Sequence, residues 1–300
     1  MHRMIATFVG FSAIVMWSFL ALLTTLAGPI PPFELAAITF LLGGMSGAAT
    51  WIVRPEAVAS LKQPLPVWLL GTAGLCIYHS LYFFAIQTAP PVEVSLIAYL
   101  WPLLIVLFAA LLPGERMRTH HLLGAVMGFL GAVLIITKGG SVGLLGGLKT
   151  GHAAALACAF IWSGYSVLSR RFGYVPTDVV AGYCLITSLI TLLLHLKFET
   201  TVWPQSGEQW AAVLLLGLFP LGAAFYAWDH GVKHGDIMVL GALSYLAPPL
   251  SVLVLLSVGR GAFHWSVGAA CLLITLGALV ASKDVVSKRR AAAPDIGSRN

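Results

Sequence analysis

The 300-residue chain is 59% hydrophobic and only 9% charged, against roughly 25% charged residues in ordinary soluble domains, so it reads as an integral membrane protein. Its net charge of +6 does not indicate nucleic acid, because much of the basic content lies in short loops and in the tail residues Lys283, Lys288, Arg289, Arg290 and Arg299. Cys76, Cys158, Cys184 and Cys271 fall in apolar stretches without C-x-x-C spacing, so they read as small buried hydrophobes that imply no metal, no cofactor and no disulfide.

A helix needs about 20 apolar residues to cross a hydrocarbon core. In chain order, such runs are predicted at about residues 5–27, 32–53, 66–88, 91–113, 119–137, 151–172, 178–198, 209–231, 236–258 and 262–281. The expected fold is an all-α membrane protein of ten transmembrane helices. The first run is too long for a signal peptide and lacks an A-x-A pattern before Gly28-Pro29, so a retained helix is expected. Residues 283–300, polar and basic, read as a disordered tail.

Lys and Arg set the orientation. With an even number of spans, placing both termini inside puts Arg3, Arg54, Lys62, Arg116, Arg118, Arg170, Arg171, Lys233 and the tail in the cytoplasm. Only Lys138, Lys149, Lys197 and Arg260 remain outside.

The chain also repeats itself. An offset of 145 residues lays VMWSFLALL on FIWSGYSVL, and an offset of 146 lays AYLWPLLIVL on SYLAPPLSVL, with Tyr99 over Tyr245 and Pro102 over Pro248. This divides the chain into repeats at 1–138 and 151–282, a connecting loop at 139–150, and the tail. Each repeat holds five spans. An odd number inverts the second repeat relative to the first, the inverted-topology arrangement found in many transporters.

Trp-Ser in the first span of each half, the stretch LYFFAIQTAPPVEVSLIAYLWPLL, the GE of LLPGERM and the Gly-rich fifth span resemble the EamA domains of the drug/metabolite transporter superfamily. More narrowly, IATFVGFSAIVMWS, VEVSLIAYLWP, AWDHGVKHG and ALSYLAPPLS resemble the YddG-type amino-acid exporters. That resemblance implies efflux of aromatic and other amino acids across a bacterial inner membrane.

The unusual residues share one depth. Trp17, His79, Trp101, Pro102, Trp162 and Pro248 lie nearest the midpoints of their spans. Tryptophan normally favours the membrane interface, so three near the midplane point to a protein-lined or wet cavity; packing aromatics are the competing reading. His79 is the only ionisable side chain near the centre of any span, and such groups mark function by default. A neutral histidine bonded to a neighbouring helix is the competing reading. Tyr78 and Tyr82, one turn apart, share a helix face.

Proline in a helix removes a hydrogen bond and clashes with the preceding turn. Pro102 and Pro248, extended by Pro249, are therefore expected as paired kinks and hinges at matching depth. Pro220 is a further candidate bend. Asp229 lies four residues before Lys233 and reads as an interfacial ion pair, while Glu34 and Glu93, near span ends, are expected to face solvent. Gly124, Gly128 and Gly131 allow close helix approach, with packing as the expected purpose and a homodimer contact as the alternative.

Several chemistries are absent from the sequence. GLLGGLKT fails the phosphate-loop pattern. No Lys or Arg occupies the central third of a span, which argues against phosphorylated substrates. No Asp/Glu cluster has metal-ligand spacing, which argues against a membrane enzyme. What remains is an aromatic-lined site of Trp17, Tyr78, His79, Tyr82, Tyr99, Trp101, Trp162, Ser244 and Tyr245, with Ser18 and Ser163 as further hydroxyls. It suits a small zwitterion with an apolar side chain. The expected activity is amino-acid export by alternating access in the lipid bilayer; the alternative is export of drugs or other small metabolites on the same fold.

Overall fold

The computed structural model describes residues 2–110, 119–136, 148–169, 172, 174–235, 240, 243–244, 246–260 and 264–281. Every regular element among these is helical. Tyr245, most of the predicted connecting loop, the loop carrying Arg116 and Arg118, and the tail 283–300 lie outside the described residues.

The first predicted span forms α1 (His2–Ser18) and α2 (Leu20–Leu26), joined through Phe19. Gly28 then turns the chain at φ 83°, a left-handed conformation that glycine adopts without steric cost. α3 (Pro32–Ala48) opens on a proline at its first position, where the missing N–H has no intrahelical partner to lose. There follow α4 (Leu65–Thr88), α5 (Pro91–Ala98), α6 (Trp101–Ala110), α7 (Thr119–Ile136), α8 (Thr150–Ser169) and α9 (Val179–Phe198). The chain closes with α10 (Gly207–Leu218), a π-turn at Phe219–Ala223, α11 (Ala224–His234), α12 (Ala247–Ser257) and α13 (Trp265–Ala281).

Among the described residues, six helical stretches are long and apolar enough to cross a membrane: Met4–Leu26, Pro32–Ile52, Leu65–Thr88, Thr150–Leu168, Val179–Phe198 and Gly207–Gly231. Four shorter apolar helices accompany them at Pro91–Leu104, Leu122–Leu134, Ala247–Ser257 and Trp265–Gly277. Phe8, Phe129, Leu196 and Leu272 are among many large apolar side chains on the outer surface. In water such a surface would drive association; against lipid it is matched.

The prolines do not act as mid-helix kinks. The fourth predicted span is broken instead: α5 ends at Ala98, Leu100 N bonds back to Ile97 O at 3.1 Å, and α6 restarts at Trp101 with Pro102 second. α12 likewise starts at Ala247 with Pro248 second and Pro249 third. The physical reason is that a first-turn proline lacks only an N–H that would have gone unpaired anyway, so a break just before it is less costly than a kink through it. Pro220 sits inside the π-turn, the usual accommodation of a widened helix at one point.

Helix contacts come in exchanged pairs. α1 packs on α11 and α4 on α8; α6 packs on α8 and α1 on α12; α3 packs on α10 and α4 on α9. Shifting by the repeat offset converts one member of each pair into the other. α3 with α9 and α7 with α13 map onto themselves. The fifth-span glycines serve this packing: a Cβ on Gly131 would lie 2.8 Å from Ile274, and one on Gly277 would lie 2.7 Å from Gly124 O.

Glu34 and Glu93 depart from expectation: both are buried. The Glu199 carboxylate accepts from Phe33 N at 3.0 Å and Glu34 N at 3.1 Å, capping the positive end of α3. Glu34 accepts from Val202 N at 2.8 Å, and His195 bridges Glu199 at 3.0 Å and Thr201 at 2.9 Å. Glu93 bonds His152 Nε2 at 2.8 Å. Lys149 N donates to His152 Nδ1 at 3.1 Å, so the His152 proton sits on Nε2, facing the carboxylate. Partners tens of residues away make this burial tolerable.

At the opposite end Arg54 pairs with Asp178 at 2.8 Å, and Thr177 donates to Asp229. Asp229 thus accepts from a threonine hydroxyl, while the Lys233 side chain of the ion pair expected from spacing lies outside the described residues.

Candidate functional site

Seven of the predicted site residues meet around one cavity. Trp17, Tyr78, His79, Tyr82, Tyr99, Trp101 and Trp162 line it together with Leu20, Ala98 and Phe225. Every one of these predicted residues except Tyr99 is buried outright, and Tyr99 is half-buried.

α4 supplies one wall. Because Tyr78 and Tyr82 lie one turn apart, their rings stack at 5.9 Å with an interplanar angle of 10°. His79 is 2% exposed and sits edge-on to Phe40 at 4.9 Å and to Phe225 at 5.6 Å. Its Nδ1 lies 2.9 Å from Leu75 O. A carbonyl only accepts, so Nδ1 carries the proton and neutral Nε2 presents a lone pair. Among the described residues neither His79 Nε2 nor the Tyr78 hydroxyl has a hydrogen-bond partner.

α1 and α8 supply the second wall. Trp17 meets Trp162 edge-to-face at 5.8 Å, Phe225 at 6.0 Å and Trp228 at 5.4 Å. Trp162 also contacts Tyr78 at 5.2 Å. Such ring pairs contribute about 0.5–1.5 kcal/mol each beyond burial, so the cluster holds its shape.

Polar anchors fix the rings from behind. Trp17 Nε1 donates to Pro220 O at 3.1 Å, tying α1 to the π-turn. The Tyr99 hydroxyl donates to Trp17 O at 3.0 Å. Ser163 Oγ lies 2.9 Å from Trp101 O and 2.6 Å from Ala159 O, which together claim its one proton. Ser95 and Ser251 share a 2.8 Å bond that joins α5 to α12.

The remaining predicted residues are placed differently. Ser244 is buried but donates to Leu240 O at 2.9 Å and is not part of the cavity wall. Ser18 is similarly committed to Val15 O at 2.6 Å. Tyr245 lies outside the described residues, and Pro102, Pro248 and Pro249 stand in first turns beside the cavity helices. Phe225, missing from the sequence reading, completes the wall. Among the described residues no group of three His, Cys, Asp or Glu could hold a metal ion.

The cavity measures about 30 Å³, on the order of the ≈30 Å³ that one water occupies in the liquid. It is an aromatic box with one imidazole and phenol hydroxyls, and it can offer ring faces to an apolar group and a nitrogen lone pair to a cation.

Two tandem matches to the EamA-like transporter family cover residues 4–137 and 149–283. The chain belongs to the EamA-like transporter family. It is a multi-pass membrane protein of a family of transporters. It is 51% identical over 283 residues to the aromatic amino acid exporter YddG of Ancylobacter novellus, covering 94% of this chain and 98% of that one. The protein of the same name from Escherichia coli K12 is 25% identical over 271 residues, 84% and 87% of the two chains. A biotin transporter of Escherichia coli K12 is 24% identical over 237 residues, 79% of each. One solved structure, titled only as the crystal structure of a protein, is 50% identical, covers 95% of this chain and 99% of its own, and superposes with a TM-score of 0.75.

Proposed function

We propose that this chain exports amino acids, aromatic and other apolar ones with broad specificity, across a bacterial inner membrane by alternating access around the central cavity. The carrying observation is the convergence of Trp17, Tyr78, His79, Tyr82, Tyr99, Trp101 and Trp162 on one site. Aromatic faces accept an apolar side chain, and His79 Nε2 together with the Tyr78 hydroxyl takes the polar end of the substrate. The names of the 51% and 25% identical relatives support the amino-acid assignment.

The architecture proposed is ten helices in two inverted repeats, 1–138 and 151–282, joined by 139–150, with the 283–300 tail and both termini cytoplasmic. The tandem family matches, the exchanged helix contacts and the matched breaks at Leu100 and Leu246 support it. Because a cavity of about 30 Å³ admits no amino acid, substrate entry requires the walls to part. Pro102, Pro248 and Pro249 mark the hinges, since the broken helices at those points lack a continuous hydrogen-bond ladder.

A carrier of other small metabolites is the second reading, favoured by the biotin-transporter relatives. An export screen over all amino acids, in cells overproducing the chain and in cells without it, tests the first reading. Raised external tryptophan, phenylalanine or leucine supports it. Unchanged levels of every amino acid would remove it.

A further inference from the structure

A second cavity opens at the end of the bundle that carries Arg54 and the 174–178 segment, the end assigned to the cytoplasm by the distribution of Lys and Arg. It measures about 790 Å³ against about 30 Å³ for the central one, within the ≈300–1,000 Å³ range of small-molecule sites. Its walls are polar and carry both signs of charge. Arg54, at the end of the second predicted span, meets Asp178, at the start of α9, at 2.8 Å. The Arg54 side chain is 53% exposed and that of Asp178 28%, so both can reach a visitor from solution. Tyr174, Tyr226 and His230 also line it.

The two cavities are separated by one helix. On α11, Phe225 lines the central box while its neighbour Tyr226 lines the outer cavity. Tyr226 fits over a notch in α3: its hydroxyl donates to Gly43 O at 3.3 Å, and a Cβ on Gly47 would lie 1.9 Å from that hydroxyl. α11 is also tied down, by Thr177 to Asp229. α11 therefore contributes to both cavities through two consecutive residues.

We propose that this outer cavity is a collecting site for amino acids, in which Arg54 binds the α-carboxylate and Asp178 the α-ammonium of the incoming zwitterion. The inference rests on the amino-acid reading given above and adds a site to it. The central box offers no fixed charge, whereas Arg54 and Asp178 present complementary charges a few ångströms apart, as the α-carboxylate and α-ammonium of every amino acid require. A guanidinium fork matches a carboxylate bidentately. Because the pair is exposed, a zwitterion can insert between the two groups and replace one ion pair by two. The outer site reads the part common to all amino acids, and the central box then sorts side chains by their fit to aromatic rings.

Transport of labelled phenylalanine from the Arg54 face of reconstituted liposomes tests this, with unlabelled phenethylamine, which lacks the carboxylate, and 3-phenylpropionate, which lacks the ammonium, as inhibitors. In Arg54→Gln the apparent KM for phenylalanine is expected to rise about tenfold, while the inhibition constant of phenethylamine changes less than twofold. In Asp178→Asn the KM for phenylalanine is expected to rise similarly, while the inhibition constant of 3-phenylpropionate changes less than twofold. A merely structural ion pair would weaken phenylalanine and analogues alike, and that outcome overturns the proposal. So does a phenylalanine KM within twofold of wild type in both variants. Absence of phenylalanine flux in the wild type would overturn the transport reading itself, which separates the two failures.

Discussion

Leu100 and Leu246, 146 residues apart, occupy the same backbone device. Each donates its N–H to the carbonyl three residues earlier, Ile97 O at 3.1 Å and Leu243 O at 3.0 Å. Each accepts from the residue four later, Leu104 N and Leu250 N, both at 3.0 Å. Each stands two residues before a proline that occupies the second position of the next helix. Two broken helices of the same construction, joined to each other by the Ser95–Ser251 bond, flank the middle of the bundle where the aromatic cavity sits.

The Tyr99 hydroxyl holds the first of these breaks to α1 through Trp17 O. Tyr99→Phe keeps the ring and removes that bond. Stability is expected to fall by about 1 kcal/mol, the usual net contribution of one hydrogen bond, read as a lower thermal midpoint in detergent. Flux is expected to fall as well, because the break moves relative to Trp17. Ser95→Ala serves as the comparison that loosens the α5–α12 contact without touching α1.

His79 provides the cavity's lone pair. His79→Ala is expected to lower kcat/KM for tryptophan about tenfold or more, equivalent to ~1.4 kcal/mol of lost interaction. His79→Gln, whose amide retains an acceptor, is expected to fall between the two. Initial rates of labelled tryptophan flux over a concentration series check the order wild type, Gln, Ala. Equal rates for the two variants would contradict a hydrogen-bonding role.

How much of this was legible without coordinates differs by residue. Trp17, His79, Trp101 and Trp162 could be found because each is unusual at mid-span, and helical spacing brought in Tyr78 and Tyr82. Phe225 carried no signal: a phenylalanine in an apolar span looks like any lipid-facing one until its helix is rotated into place. The π-turn at Phe219–Ala223 has no sequence period of its own, so Pro220 could announce a disturbance but not its form. Pro102 and Pro248 announced irregularity correctly, yet the helix breaks before them rather than bending through them, since a first-turn position satisfies proline at no loss of hydrogen bonding. The burial of Glu34 and Glu93 was illegible because His195, Glu199 and His152 are remote in sequence and arrive only through tertiary packing.

The cap on α3 gives a stability prediction. Glu199 accepts two backbone N–H bonds there and a third contact from His195. Glu199→Ala is expected to destabilise by about 2 kcal/mol or more, since it removes charge-assisted bonds and leaves donors unpaired. Glu199→Gln should cost less. Thermal unfolding in detergent ranks the two.

Helix contact distances give another. A Cβ on Gly43 would lie 2.4 Å from Leu221 O, a backbone atom of the π-turn that cannot step aside. Gly43→Ala is therefore expected to destabilise by about 1–3 kcal/mol. Gly164, on α8, meets nothing within 4 Å, so Gly164→Ala is expected to be neutral or to stabilise by up to about 1 kcal/mol through its helix preference. Paired thermal midpoints check the contrast, and an equal loss in both would contradict the packing described at α3.

The proposed path of the amino acid runs through the central cavity. Its most direct test is uptake of labelled tryptophan and phenylalanine into proteoliposomes by the wild type, Trp101→Ala and His79→Ala, with each protein shown to be folded by its thermal midpoint. The expected result is saturable uptake by the wild type that falls about tenfold or more in both variants. Uptake unchanged in both folded variants would contradict the site, and no uptake by the wild type would contradict the function.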